Sequence, residues 1–430
     1  MRVRKGLACT AVAVAMAVLG GCGSGGDAEK EPTRGDSAPK GEDESKAEDV
    51  PEAFDAPLKF EPAPEVTVPK AATSGNVAMS GRTDANGLPV TIEKGVLYIG
   101  RTDGLEIASG YRPSDAVLIT TAESQPVDPE KDGPFVGDST DAPHLTTVDG
   151  KRLAVMAVVG ELPGSGTTPK KTVVELLAAD AREATLAWSA TVEFEGLQDY
   201  SKHSDGPPQI LGQVGDTLVL EVGDHTLGVD LTTRERVWST EADGVLAGDT
   251  LVVERAESAR EDRLVGLDAA TGEEKWSVDA EGYGDFVGAT SNLVALESYS
   301  GGEGRLTFVE TAEGKEVVTH RDRDQSACSY DGASVLVCGD GKRLDAYAAD
   351  SGKPLWSLPD ESANRVAPRM TLLREGLLYG TTENGPVVLD ALTGADKETE
   401  PGAAPFVTDG IAALAFAPES KRAIAFRVTG

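Results

Sequence analysis

Histidine and cysteine are scarce here, four of each in 430 residues. The histidines, His144, His203, His225 and His320, form no recognisable set with a serine, a cysteine or a metal ligand. There is no His-Glu-x-x-His, no Gly-x-Ser-x-Gly and no P-loop, so zinc-protease, serine-hydrolase and nucleotide-phosphate chemistry lack their usual groups. Gly164-Ser165-Gly166 precedes Thr167-Thr168-Pro169 without the strand–turn–helix setting of a nucleophile. Asp322-Arg323-Asp324 is too short for a calcium loop. Aromatic residues are only 5% of the chain, which argues against a large aromatic ligand cage. Basic charge is also short: 40 Lys and Arg against 72 Asp and Glu leave a net of −32. That excludes a nucleic-acid interface built on a basic surface; the charge reads as a solubilising, self-repelling coat. No apolar run is long enough to span a bilayer.

The one sustained apolar run, Leu7 to Leu19, follows Arg2, Arg4 and Lys5 and stops at Leu19-Gly20-Gly21-Cys22. A basic start, a short apolar core and small residues before a cysteine have the form of a bacterial lipobox. Residues 1–21 are therefore expected to be a lipoprotein signal peptide and Cys22 the lipid attachment site. An ordinary secretory signal is the plainer alternative. The anchor would hold the protein in the cell membrane, on its extracytoplasmic face. Residues 22–54 are rich in Gly, Ser, Asp, Glu, Lys and Pro and read as a disordered acidic linker. Residues 55–430 read as one globular unit.

Within that unit a short segment recurs. Asp268-Ala269-Ala270-Thr271-Gly272 forms a turn signal, in which the Asp and Thr side chains can bond turn backbone and Gly272 can take positive φ. Trp276 follows in the next extended run. The eight-residue Asp-to-Trp spacing returns at Asp230 and Trp238 and at Asp180 and Trp188. Ala348 and Trp356 keep it around Gly352, with the acid moved to Asp350; copies at Gly314 and at Asp390 with Gly394 carry Val318 and Glu398 where the Trp would stand. All four tryptophans fall in this register, at 188, 238, 276 and 356. A period near 40 residues built from short strands predicts a β-propeller.

The pattern Asp-x-x-Thr-Gly-x-x-x-Trp resembles the tryptophan-docking repeat of the PQQ-like (quinoprotein-type) propellers. Asp268, Thr271, Gly272 and Trp276 match it in full. The resemblance implies four-stranded antiparallel blades in which the Trp of one blade packs on the next. It covers roughly residues 145–400 by motif. Similar propellers include lipoproteins of the outer-membrane barrel-assembly complex and extracellular sensor domains, which bind protein partners and carry no cofactor. The other branch of the resemblance is a PQQ-dependent dehydrogenase acting on alcohols or sugars, with PQQ and Ca²⁺ on the axis and often a vicinal disulfide; this chain has no adjacent Cys-Cys. The expected role is thus a non-catalytic, monomeric binding or scaffold propeller without a metal.

About 375 residues after the linker, at about 45 per blade, give eight blades, with seven as the alternative. Residues 86–122 carry four strand signals but no Trp and are expected to form a degenerate blade. The last segments, Ile411–Phe416 and Ala423–Val428, are too few for a blade. An outer strand from about residues 56–70 is expected to complete it and remove an open edge. Cys328 and Cys338 flank the Asp331-Gly332 turn signal, which favours a cross-strand disulfide; two buried thiols or a metal pair are the alternatives. The long loops at 123–143, 160–171 and 195–208 are the candidate contact surfaces.

Overall fold

The computed structural model describes residues 50–430 except 52, 74–87, 127–139, 201–206, 259–260, 281–282, 301–302, 323–326 and 418–421. The signal segment, Cys22 and most of the linker lie outside the described residues.

Short apolar runs between turn signals become strands that each need neighbours on both sides, and the chain meets that need eight times in succession. Among the described residues the strands form eight antiparallel sheets, the blades of an eight-bladed all-β propeller. We number them in chain order and letter their strands A to D from inside outward. Blade 1 spans 90–120, blade 2 144–192, blade 3 209–240 and blade 4 244–279. Blade 5 spans 285–321, blade 6 327–358 and blade 7 369–398. Strands B and C carry the apolar alternation on both faces, so the core lies between blades; Leu218, Leu220, Leu227 and Val229 of blade 3 pack with Val174, Leu176 and Ala178 of blade 2.

The Trp-less stretch does form blade 1, from Val90–Glu93 to Val117–Thr120. Blade 8 takes strands A to C from Val407–Thr408, Ala412–Phe416 and Ala423–Val428, and strand D from Phe60–Pro62. Phe60 pairs with Val428 and Pro62 with Phe426. The ends are stitched further: Leu58 and Lys59 donate backbone N–H groups to the Gly430 carbonyl at 2.6 and 2.9 Å. Phe54, at the end of the stretch read as linker, is also tied down, its N–H reaching the Gly410 carbonyl at 2.9 Å. The segment Glu65–Val68 is not a strand; a 3-10 turn at Lys70–Thr73 follows it.

One departure from a plain four-stranded repeat bears on function. In blade 2 a fifth strand, Gln125–Pro126, pairs with Glu161 and Gly160 above the inner strand His144–Val148. The D strands of blades 2 to 7 all break register beside the Trp position. A bulge on an edge strand discourages pairing with another chain.

The turns from A to B and from C to D lie on one face of the ring, here called the turn face. The B-to-C turns and the blade-to-blade connections lie on the other, the loop face.

Candidate interaction face

The repeat residues first. Asp268 accepts at Oδ1 from the N–H groups of Ala270 and Thr271, at 3.1 and 3.0 Å, and from the Thr271 hydroxyl at 3.1 Å. Asp180 caps Arg182 and Glu183 in the same way, Asp230 caps Thr232 and Thr233, and Asp390 caps Thr393. The Thr233 N–H, with that of Thr232, holds the Asp230 carboxyl below its ordinary range. Each turn then closes through a left-handed residue: Gly272, Gly314, Gly352 and Gly394 have φ of 73°, 73°, 62° and 68°.

These glycines serve a second need. A Cβ on Gly272 would lie 2.6 Å from Trp238 Cγ, on Gly314 2.5 Å from Trp276 Cε3, and on Gly394 2.8 Å from Trp356 Cδ2. Each indole therefore lies against the turn glycine of the following blade. Each also donates its N–H there: Trp238 to Ala269 O at 3.1 Å, Trp276 to Thr311 O at 2.7 Å and Trp356 to Ala391 O at 2.8 Å. Within its own blade each Trp faces a small residue, Gly228, Gly266 or Ala346.

The other joints use different side chains for the same place. Tyr98 donates its hydroxyl to Ala181 O and Tyr379 to Pro57 O, both at 2.9 Å. Thr290 donates to Ala349 O at 2.9 Å. These carbonyls stand where the Trp-bonded ones stand, one residue after the Asp position or, for Pro57, at the gap between Gly430 and Phe60. At Val318 the ring comes from its cross-strand partner Phe308, whose Cγ lies 2.7 Å from a Cβ built on Gly352. His320 Nε2 meets the Gly352 carbonyl at 2.8 Å and must carry the proton there, since a carbonyl only accepts. Trp188 faces a turn whose left-handed residue is Arg234, with φ of 64°. The Arg234 guanidinium carbon lies 5.2 Å from the indole centroid, a cation–π contact. Tyr98, Tyr379, Thr290 and Phe308 carry no signal at the Trp spacing and are not found by following it.

Cys328 and Cys338 sit directly opposite each other on strands A and B of blade 6 and are joined, with Cα atoms 4.0 Å apart. All four tryptophans are engaged at blade joints. Among the described residues no three His, Cys, Asp or Glu are grouped to hold a metal.

The described parts of the three long loops meet over blade 2 on the loop face. Strands B and C there are long, Lys151–Leu162 and Lys171–Asp180, and raise their hairpin above the ring. Glu175, fully buried between the apolar pairs Val173-Val174 and Leu176-Leu177, accepts from the N–H groups of Ala122, Glu123 and Ser124 at 2.7, 3.1 and 2.6 Å. A buried carboxylate with three backbone donors fixes the entering loop firmly. Glu123 in turn accepts from the Ser189 hydroxyl at 3.2 Å. On the other side Gln198 clamps Thr172, accepting from its N–H at 3.1 Å and donating to its carbonyl at 2.9 Å. Lys171 pairs with Glu193, and Phe194 stacks near His225 with centroids 4.9 Å apart. Asp141 accepts from the Ile210 N–H at 2.8 Å, tying the loop to blade 3. The single sequence clue to this arrangement was an acidic residue inside Val173–Leu177.

The topology defines an eight-bladed β-propeller with four-stranded antiparallel blades. A family model described as outer membrane protein assembly factor BamB matches residues 244–421, under half of the chain. Among solved structures, BamB from Moraxella catarrhalis is similar at 13% identity, covering 66% of this chain and 87% of that one, with a TM-score of 0.35. The Pan2 WD40 domain of Neurospora crassa is similar at 13% identity, covering 88% and 98%, with a TM-score of 0.41. Hsv2p of Kluyveromyces lactis is similar at 10% identity, covering 80% and 98%, also at 0.41. No curated protein matches the chain.

Proposed function

We propose that this protein is a scaffold propeller, held by lipid at Cys22 on the extracytoplasmic face of the cell membrane, that binds a protein partner through the loop face over blade 2. The observation that carries the reading is the loop cluster itself. The described parts of three loops gather at the blade 2 hairpin: Glu175 holds the entering loop, Gln198 joins the leaving segment to Thr172, and Asp141 ties the entering loop across to blade 3. Loops held on a rigid ring are the usual place for recognition. The family description matched over 244–421 names an assembly factor, which supports a role exercised on other proteins; the loop cluster lies outside that stretch.

The lipidated chain, solubilised from membranes and used as bait, is expected to retain a defined partner that a Glu175→Gln variant retains less well. Equal retention by both would overturn the assignment of the binding face. Cys22→Ala is expected to release the protein from the membrane fraction. Purified protein is expected to show no quinone absorbance and no dye-linked alcohol or sugar oxidation with added PQQ and Ca²⁺; activity there would replace the scaffold reading with the dehydrogenase.

A further inference from the structure

The two ends of the proposed scaffold, anchor and binding face, enter the ring from opposite sides. Strand D of blade 8 runs away from the turn face, so the residues before Phe60 lie on that face. The contacts agree: Pro57 takes the Tyr379 hydroxyl where other blades offer a C-to-D turn, and Phe54 bonds Gly410 in the A-to-B turn of blade 8. The blade 2 hairpin, the loop held by Glu175 and the segment carrying Gln198 all lie on the loop face.

We propose that anchorage turns the turn face toward the bilayer and presents the loop cluster away from it, so that the partner is a protein domain standing clear of the lipid and not a membrane-embedded segment. This rests on the anchored-scaffold reading above. Cys22 lies 32 residues before Phe54. A random coil of 32 residues has a root-mean-square span of roughly 30 Å, short enough for the attached face to be the nearer one.

Two labels on the same blade isolate the face from the tilt of the ring. Ser165 is exposed at the blade 2 hairpin tip and Arg182 is exposed in the C-to-D turn of that blade. Ser165→Cys and Arg182→Cys, each in the full lipidated chain with Cys328 and Cys338 oxidised, would carry a donor dye. The protein would sit on phosphatidylcholine vesicles bearing a headgroup acceptor. Energy transfer is expected to be several-fold greater from position 182 than from position 165. Equal transfer, or more from 165, would overturn the orientation while leaving the anchor intact. Flotation of the Cys22→Ala variant with the vesicles, read without any dye, would instead remove the anchor and this inference with it.

Discussion

At five joints the carbonyl one residue past the Asp position of a turn receives a donor from the blade before it, and the donor is Trp, Tyr or Thr according to the joint. What persists is an acceptor with a flat or compact group above it, and the sequence shows only the commonest solution. The four tryptophans were legible because strand D fixes their offset from the turn. Tyr98 and Tyr379 come from strand B and Thr290 from an A-to-B turn, so no constant spacing reveals them. Truncating Trp276→Ala removes both the indole on Gly314 and its bond to Thr311, and is expected to cost about 3–5 kcal/mol in denaturant unfolding. Tyr98 adds a pH dependence. Burial, with Glu93 second, pushes its phenol from 10.0 up to about 12. Below pH 10 both states keep the proton; above it the unfolded chain ionises first, so stability falls as pH rises toward about 12. Urea midpoints at about pH 9 and about pH 11.5 should show a shallower decline for Tyr98→Phe than for the parent.

Strands and hairpins were read well where turn chemistry was strong, as around Asp268 and Gly272, and less well where pairing is made by tertiary contact. Gln125–Pro126 is two residues long and contains a proline, so nothing local marks it as a strand. It exists because strand B of blade 2 outgrows its inner neighbour, leaving Gly160 and Glu161 to be paired. The close approach there needs a glycine: a Cβ on Gly160 would lie 2.1 Å from Ser124 Oγ. Glu175 is the other half of this arrangement. Glu175→Gln offers one acceptor oxygen in place of two, leaving backbone N–H groups short of a partner, and is expected to cost about 1–3 kcal/mol. Its more specific signature is faster limited proteolysis at 121–126, with cleavage elsewhere unchanged. Uniformly faster cleavage would mean that Glu175 supports the whole ring and not this loop alone.

For the molecule as a whole, blade count and closure were legible from arithmetic: the terminal segments were too few for a blade, and an extended run after the linker was left over. The observed strand, Phe60–Pro62, falls inside the expected 56–70 and takes the outer position. Removing residues 23–62 strips that strand and the Pro57 acceptor together. The Ala423–Val428 edge would then be open to other copies, and sedimentation velocity is expected to show association that the parent lacks. An unchanged monomer would mean that closure does not depend on this pairing.

The seam between Gly430 and Leu58 is closed without a peptide bond, by hydrogen bonds and the apolar packing around Phe60 and Val428. A short peptide splice across it, with a fresh cut in the exposed loop at 163–170, would yield a circular permutant whose sheets are paired as before. Under the proposed anchorage the lipid would then hang from the opposite pole, and the same ring would meet its surroundings upside down.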